Sequence, residues 1–173
     1  MSTEAQYSKA QIGGHPIHPM LVSFPIALYT SGVVALLVFA GTSDTFWYRA
    51  SMTLFLAGAA MAAVAAVFGV IDLFFGIPRQ EKATRNTGII HMGLNVVSLV
   101  LFAGAGFSML MAWRHPGAAE EWMPYRLPLT LGIVGLVLTG AAGYYGWKLV
   151  QTHHVGISEP TPRGAQPAHS GAH

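Results

Sequence analysis

Four long apolar segments dominate the chain. They cover approximately residues 20–40, 50–77, 88–113 and 127–150. A helix needs about 20 apolar residues to cross roughly 30 Å of hydrocarbon, and each segment reaches that length. Backbone polar groups find no water inside a bilayer, and the segments lack strict alternation, so they predict helices rather than barrel strands. The predicted fold class is therefore an all-α integral membrane protein with a four-transmembrane-helix bundle.

Composition agrees with this fold class and excludes several functions. Hydrophobic residues make up 53% of the chain and charged residues 9%, whereas about a quarter of a typical soluble domain is charged. The chain has no cysteine, which excludes disulfides, iron–sulfur ligation and covalently attached c-type haem. The net charge of +2 comes without a Lys/Arg cluster, so nucleic acid is excluded as a partner and the lipid bilayer is the predicted one.

The chain divides into three predicted parts. Residues 1–12 form a polar N-terminal tail without the pattern of a signal peptide, and residues 13–157 form the four-helix domain. Residues 158–173 are rich in Pro, Gly and Ala and are predicted to be disordered. The connecting loops are too short for a soluble catalytic domain, and the common hydrolase, zincin and nucleotide-binding motifs are absent from the sequence.

Basic residues predict the orientation of the four helices. With both termini in the cytoplasm, the inner side carries Lys9, Arg79, Lys82, Arg85, Lys148 and Arg163, and the outer side carries only Arg49, Arg114 and Arg126. This bias favours cytoplasmic termini. The outer margin also carries aromatic residues suited to an interfacial belt, namely Trp47, Tyr48, Trp113, Trp122 and Tyr125.

Small and polar residues recur at helical spacing on three segments. The second segment carries Ala62, Ala65, Gly69, Asp72 and Gly76; the third His91, Asn95, Ser98, Phe102, Ala105 and Met109; the fourth Gly132, Gly135, Thr139, Gly143 and Gly146. Small residues let helices approach closely, and polar residues avoid lipid. We therefore expect these stripes to form the faces along which the helices pack.

Histidines and an aspartate mark one end of the predicted bundle. HPIHP, from His15 to Pro19, precedes the first segment, Asp72 closes the second, His91 opens the third and His153 follows the fourth. Four crossings bring all of them to the same membrane face, and ionisable groups at membrane depth are candidates for function. The prolines disfavour helix at the residues before them, so His15 and His18 are expected in an extended lead-in.

These motifs resemble a bacterial membrane domain. HPIHPMLVSFPIAL, the GVID ending at Asp72, His91 with Asn95, and GYYGWKLVQTHHVGI (residues 143–157) are similar to a widespread four-helix domain of unknown function that is sometimes joined to a Rieske iron–sulfur domain. By this match His153 takes the family's histidine position, although Gln151 stands where Tyr is usual. The resemblance implies a bacterial inner-membrane location, a histidine-rich face and a Rieske-type or other redox partner.

Three interpretations of the histidine-rich face remain open. The preferred one is a single b-type haem for membrane electron transfer, with axial ligands drawn from His15, His18, His91 and His153. The second is a bare Zn, Cu or Fe ion held by His15, His18, Asp72 and His91. Asp72 could instead accept the N–H of a histidine ligand and orient that ring.

The third interpretation is purely structural. His15 and His18 would cap the first helix, His91 and Asn95 would make interhelical hydrogen bonds, and Asp72 would pair with His91 or with Arg79. The protein would then be a subunit of a membrane complex rather than a stand-alone enzyme.

Overall fold

The chain forms four long helices. The computed structural model describes residues 8–12, 15–115 and 123–156. The helices are α1 (Ile17–Thr42), α2 (Thr45–Ile71), α3 (Lys82–Arg114) and α4 (Arg126–Gln151), and α2 continues into a short π-helix at Asp72–Gly76. All four spans are long and apolar enough to cross a membrane. The all-α four-helix fold class is confirmed.

The helices form two hairpins. α1 packs mainly against α2 and α3 mainly against α4, while α2 meets α3 and α1 meets α4 between the hairpins. The starts of α1 and α3 therefore lie at the same end of the bundle as the ends of α2 and α4. We call this end the histidine end, and it carries His18 and His91 in mutual contact. The helix ends that the sequence predicts to lie on one membrane face thus share one end of the bundle.

The core is aromatic at mid-depth. Tyr29 of α1 stacks on Phe102 of α3 with ring centroids 3.7 Å apart, and Phe55 of α2 lies against Phe102. Glycines make room for these rings: a Cβ at Gly135, in the α4 stripe, would lie 2.7 Å from the Phe102 ring, and a Cβ at Gly58 of α2 would lie 2.7 Å from the Tyr29 ring. These two glycines thus leave space for aromatic side chains rather than for direct contact between two backbones.

The predicted stripes hold with one correction. On α3, Ser98, Phe102, Ala105 and Met109 are buried as expected. On α4, however, Gly143 is exposed and Ala142 is buried instead. A turn of α-helix is 3.6 residues, so the buried face steps three residues from Thr139 to Ala142 rather than four.

One predicted belt residue lies in the interior. Tyr48 is completely buried, its ring meets Phe39, and its hydroxyl donates to the Met109 carbonyl at 3.5 Å. A buried tyrosine finds a hydrogen-bond partner in this way, whereas a belt residue would keep its hydroxyl in the interface. Trp122 lies outside the described residues.

The lead-in to α1 is shorter than predicted. Residues His15–Pro16 are extended and pair with Gln11–Ile12 in a small antiparallel ladder, but α1 begins at Ile17, so His18 already lies in its first turn. Pro19 is tolerated there because the first four helical N–H groups have no intrahelical acceptor. The expected extended conformation is right for His15 and wrong for His18.

The boundaries of the folded unit are partly described. Residues 8–10, which the sequence assigns to the N-terminal tail, pack onto the bundle, with Ser8 and Ala10 buried. Residues 1–7 and 157–173, and with them the predicted disorder of residues 158–173, lie outside the described part of the chain.

Candidate functional site

His18 is held against α2 by one hydrogen bond and one close contact. Its Nδ1 lies 2.8 Å from the carbonyl oxygen of Ala65. Gly69, one turn further along α2, packs on the ring, and a Cβ there would lie 2.9 Å from Cε1 of His18. Any side chain larger than hydrogen at this position would push the imidazole away. Gly69 therefore sets the position of His18.

His91 is held against α4 in the same way. Its Nδ1 lies 2.8 Å from the carbonyl oxygen of Ala142, and a Cβ at Gly146 would lie 3.0 Å from its Cε1. Asn95 adds a second contact, because its Nδ2 lies 3.2 Å from Nε2 of His91 and donates to the His91 carbonyl at 2.9 Å. The two amide hydrogens of Asn95 thus have two acceptors.

These contacts assign the tautomer of both rings. A carbonyl oxygen only accepts, so Nδ1 of each ring carries the hydrogen and Nε2 of the neutral imidazole keeps its lone pair. For His91 this agrees with Asn95, whose amide donates to Nε2. An Nδ1–H bonded to a backbone carbonyl is the usual support of a histidine that binds a metal through Nε2. In both rings Nε2 is therefore the nitrogen that carries the lone pair.

The two imidazoles lie next to each other between the hairpins. Their ring centroids are 6.2 Å apart and their planes are nearly perpendicular, at 86°. Each ring is half-buried at the histidine end. The structure thus brings together two of the four predicted haem ligands, one from each hairpin.

His153 lies apart from this pair and joins α4 to the first turns of α3. Its Nδ1 lies 3.1 Å from the Thr84 hydroxyl and its Nε2 lies 3.3 Å from the Thr87 hydroxyl. Thr87 donates its one hydrogen to the Ala83 carbonyl, so it accepts from Nε2–H, and Thr84 donates to Nδ1. Both ring nitrogens of His153 are engaged by threonines.

Asp72 binds the N-terminal segment. Its carboxylate accepts from the Ser8 hydroxyl at 2.8 Å on both oxygens, from Lys9 N–H at 2.9 Å and from Ala10 N–H at 3.1 Å. These are charge-assisted bonds that hold residues 8–10 on the end of α2. The expected pairing of Asp72 with a histidine or with Arg79 is replaced by this set of donors from the tail.

A bare metal site does not form from the described residues. His15 is exposed on its short strand, and in the described ranges no three His, Cys, Asp or Glu side chains come together as a set of metal ligands. The four predicted ligands His15, His18, Asp72 and His91 contribute only the His18–His91 contact.

Several site residues are missing from the sequence-based candidates. The carbonyls of Ala65 and Ala142, the hydroxyls of Thr84 and Thr87, and the side chain of Ser8 all bond to candidate residues. Thr84 and Thr87 share a helical stripe with His91, and this spacing was the available signal. Backbone acceptors leave no mark in a residue pattern.

The chain was compared with curated proteins, solved structures and protein families. No curated protein and no solved structure matches the chain. One family does match, over residues 14–159, and it is described as predicted membrane protein (DUF2231). The matched region contains all four helices and both histidines of the pair. The chain therefore belongs to this family of membrane proteins.

Proposed function

We propose that the protein binds one b-type haem between His18 and His91 and transfers electrons in the membrane. The observation that carries the proposal is the pair itself. Two imidazoles meet at 6.2 Å from separate hairpins, and each is fixed through Nδ1 by a backbone carbonyl at 2.8 Å. Haem iron in membrane bundles takes axial imidazoles from facing helices in this manner.

The number of protein ligands favours haem over a bare ion. A structural Zn site uses four protein ligands and a catalytic one uses three. The described residues offer two imidazoles in contact and no larger set of ligands. Haem iron needs only one or two protein ligands, because the macrocycle supplies the other four.

The nitrogen lone pairs of His18 and His91 suit a haem iron. His18 presents a lone pair on Nε2, and His91 presents one after Asn95 releases its contact with that atom. Asn95 keeps its second bond, to the His91 carbonyl, when it does so. The haem would supply one-electron exchange, and the imidazoles, held by Gly69 and Gly146 at fixed positions, would orient it between the hairpins.

The distribution of basic residues supports a cytoplasmic position for this site. Lys9, Arg79, Lys82 and Arg85 lie at the histidine end, and such a bias favours the cytoplasm. The predicted redox partner, a Rieske-type or other electron-transfer protein, would then dock on the inner face of a bacterial cytoplasmic membrane.

The test is an absorption spectrum of the full chain, expressed with ample haem and purified in detergent. We expect a Soret band and one haem per chain, and we expect H18A and H91A each to lose it while helix content by circular dichroism persists. The matched control is H115A, because His115 is exposed in the loop after α3. A colourless wild-type protein refutes the proposal, as does stoichiometric copper or zinc without haem.

A structural role is the second candidate, and one observation favours it. Asp72 and His153 use their polar atoms to bind neighbouring segments, as expected of a subunit whose polar residues serve assembly. In that case the purified protein carries no cofactor, and H18A and H91A lower thermal stability without any spectral change.

A further inference from the structure

The two halves of the chain repeat the same residues in the same order. Ile17-His18-x-x-Leu21 recurs as Ile90-His91-x-x-Leu94, Tyr48-Arg49-x-x-x-Thr53-Leu54-x-x-x-Gly58 recurs as Tyr125-Arg126-x-x-x-Thr130-Leu131-x-x-x-Gly135, and Ala65-x-x-x-Gly69 recurs as Ala142-x-x-x-Gly146. The matches between α1 and α3 all have the same offset in residue number. The matches between α2 and α4 have a slightly larger offset, because the connection between α3 and α4 is longer than the connection between α1 and α2.

Repeated residues make repeated contacts inside each hairpin. In both halves the repeated histidine bonds to the carbonyl of the repeated alanine at 2.8 Å, His18 to Ala65 and His91 to Ala142. In both halves it also packs on the repeated glycine. Deeper in the bundle, a Cβ at Gly58 would lie 2.7 Å from Tyr29, and a Cβ at Gly135 would lie 2.7 Å from Phe102. The two hairpins therefore have the same internal packing at two levels.

Between the hairpins, equivalent residues touch each other. His18 meets its equivalent His91, and Tyr29 stacks on its equivalent Phe102 with an angle of 8° between the planes. Contact between a residue and its own counterpart is the mark of an isologous interface, which has a two-fold axis. The two pairs define two points along such an axis.

We infer that the chain is a tandem duplication of one helical hairpin, and that the two copies build one ligand site on their shared two-fold axis from His18 and His91. Membrane proteins with internal repeats commonly place their sites at the repeat interface. The nature of the ligand rests on the proposed function: a metal centre in a planar macrocycle accepts one equivalent imidazole from each side. The duplication itself does not depend on that ligand.

The repeats differ at one position beside the site. Asn95 braces His91 from one turn further along α3, and the equivalent residue on α1, one turn after His18, is Val22. A two-fold relation predicts that an amide at position 22 finds the same two acceptors, Nε2 and the carbonyl of His18. The brace should therefore be transferable from one hairpin to the other.

The experiment is a reciprocal exchange measured by thermal unfolding in detergent. N95V should lower the midpoint by about 4–8 °C, the shift expected for the loss of two hydrogen bonds in a chain of this size. The exchange V22N/N95V should restore the wild-type midpoint, because the amide then braces His18. An exchange variant that unfolds at the N95V temperature or below overturns the inference.

A second exchange tests the deeper level of the axis. Y29F/F102Y keeps one hydroxyl in the stacked pair and moves it to the equivalent ring. On a two-fold axis this exchange variant should match the wild-type midpoint within about 2 °C, and a larger loss overturns the inference. Both exchanges are read by unfolding of protein prepared with and without added haem, so a missing Soret band refutes the haem and leaves the test of duplication intact.

Discussion

Substitution of Asp72 should loosen the N-terminal segment while the bundle persists. The carboxylate accepts from Lys9 N–H and Ala10 N–H on the same oxygen, Oδ1, and from the Ser8 hydroxyl. D72N leaves an amide oxygen in that place, so the two backbone bonds can persist without the charge. Charged hydrogen bonds contribute about 1.5–3 kcal/mol and neutral ones about 0.5–1.5 kcal/mol. The change therefore costs roughly 1 kcal/mol per backbone bond, or about 2 kcal/mol in total.

This cost appears locally because the segment can detach before the helices separate. At about 1.4 kcal/mol per tenfold, a loss of about 2 kcal/mol speeds hydrogen exchange at the amides of Lys9 and Ala10 by roughly 30-fold. Mass spectrometry of the N-terminal peptide measures this exchange. The matched control is D44N, because Asp44 caps α2 at the other end of the bundle. Unchanged exchange at residues 8–10 in D72N would refute the argument that Asp72 holds this segment.

Three further predictions concern the membrane topology, the packing of His18 and the hydrogen bonds of His153. A reporter fused after Val155 should be active only as a cytoplasmic reporter, and one inserted near Gly117 only as an external reporter; the reverse pattern would refute cytoplasmic termini. G69V should displace His18 and abolish the Soret band, whereas G143V should leave it intact, because a Cβ at Gly143 meets nothing within 4 Å. H153A should lower the unfolding midpoint by about 4–8 °C, because it loses two hydrogen bonds to threonines. Any haem content should stay unchanged, and spectra and melting of one sample would check both outcomes.

The helices and their common end were predictable because each follows from length and spacing. An apolar run of sufficient length must cross the bilayer as a helix, and four crossings fix which ends meet. The buried stripe of α3 from Ser98 to Met109 followed from the 3.6-residue period alone. On α4 the same period placed Thr139 and Gly146 correctly but assigned Gly143 instead of Ala142 to the buried face, because a three-residue step and a four-residue step fit the sequence equally well there.

The contacts of the site were less accessible to sequence reasoning. His18 and His91 bond to the backbone of Ala65 and Ala142, and every residue carries such a carbonyl. Asp72 bonds mostly to N–H groups of a tail whose polar composition gave no sign of packing. The internal repeat was present in the sequence, but aligning the second helices required allowance for the longer connection between α3 and α4.

Asp72 and His153 each bind a neighbouring segment, which leaves His18 and His91 as the histidine pair of the proposed site. In each hairpin a residue at the end of the second helix binds the chain near the start of the first helix. Asp72, after α2, binds residues 8–10 before α1. His153, after α4, binds the first turns of α3. A carboxylate suits the N–H and O–H donors it meets, and an imidazole suits hydroxyls that both donate and accept. With these two residues used to position the helix starts, His18 and His91 are fixed against each other at the axis. In the proposed site a ligand between the hairpins would bind Nε2 of His18 and, once Asn95 has released it, Nε2 of His91.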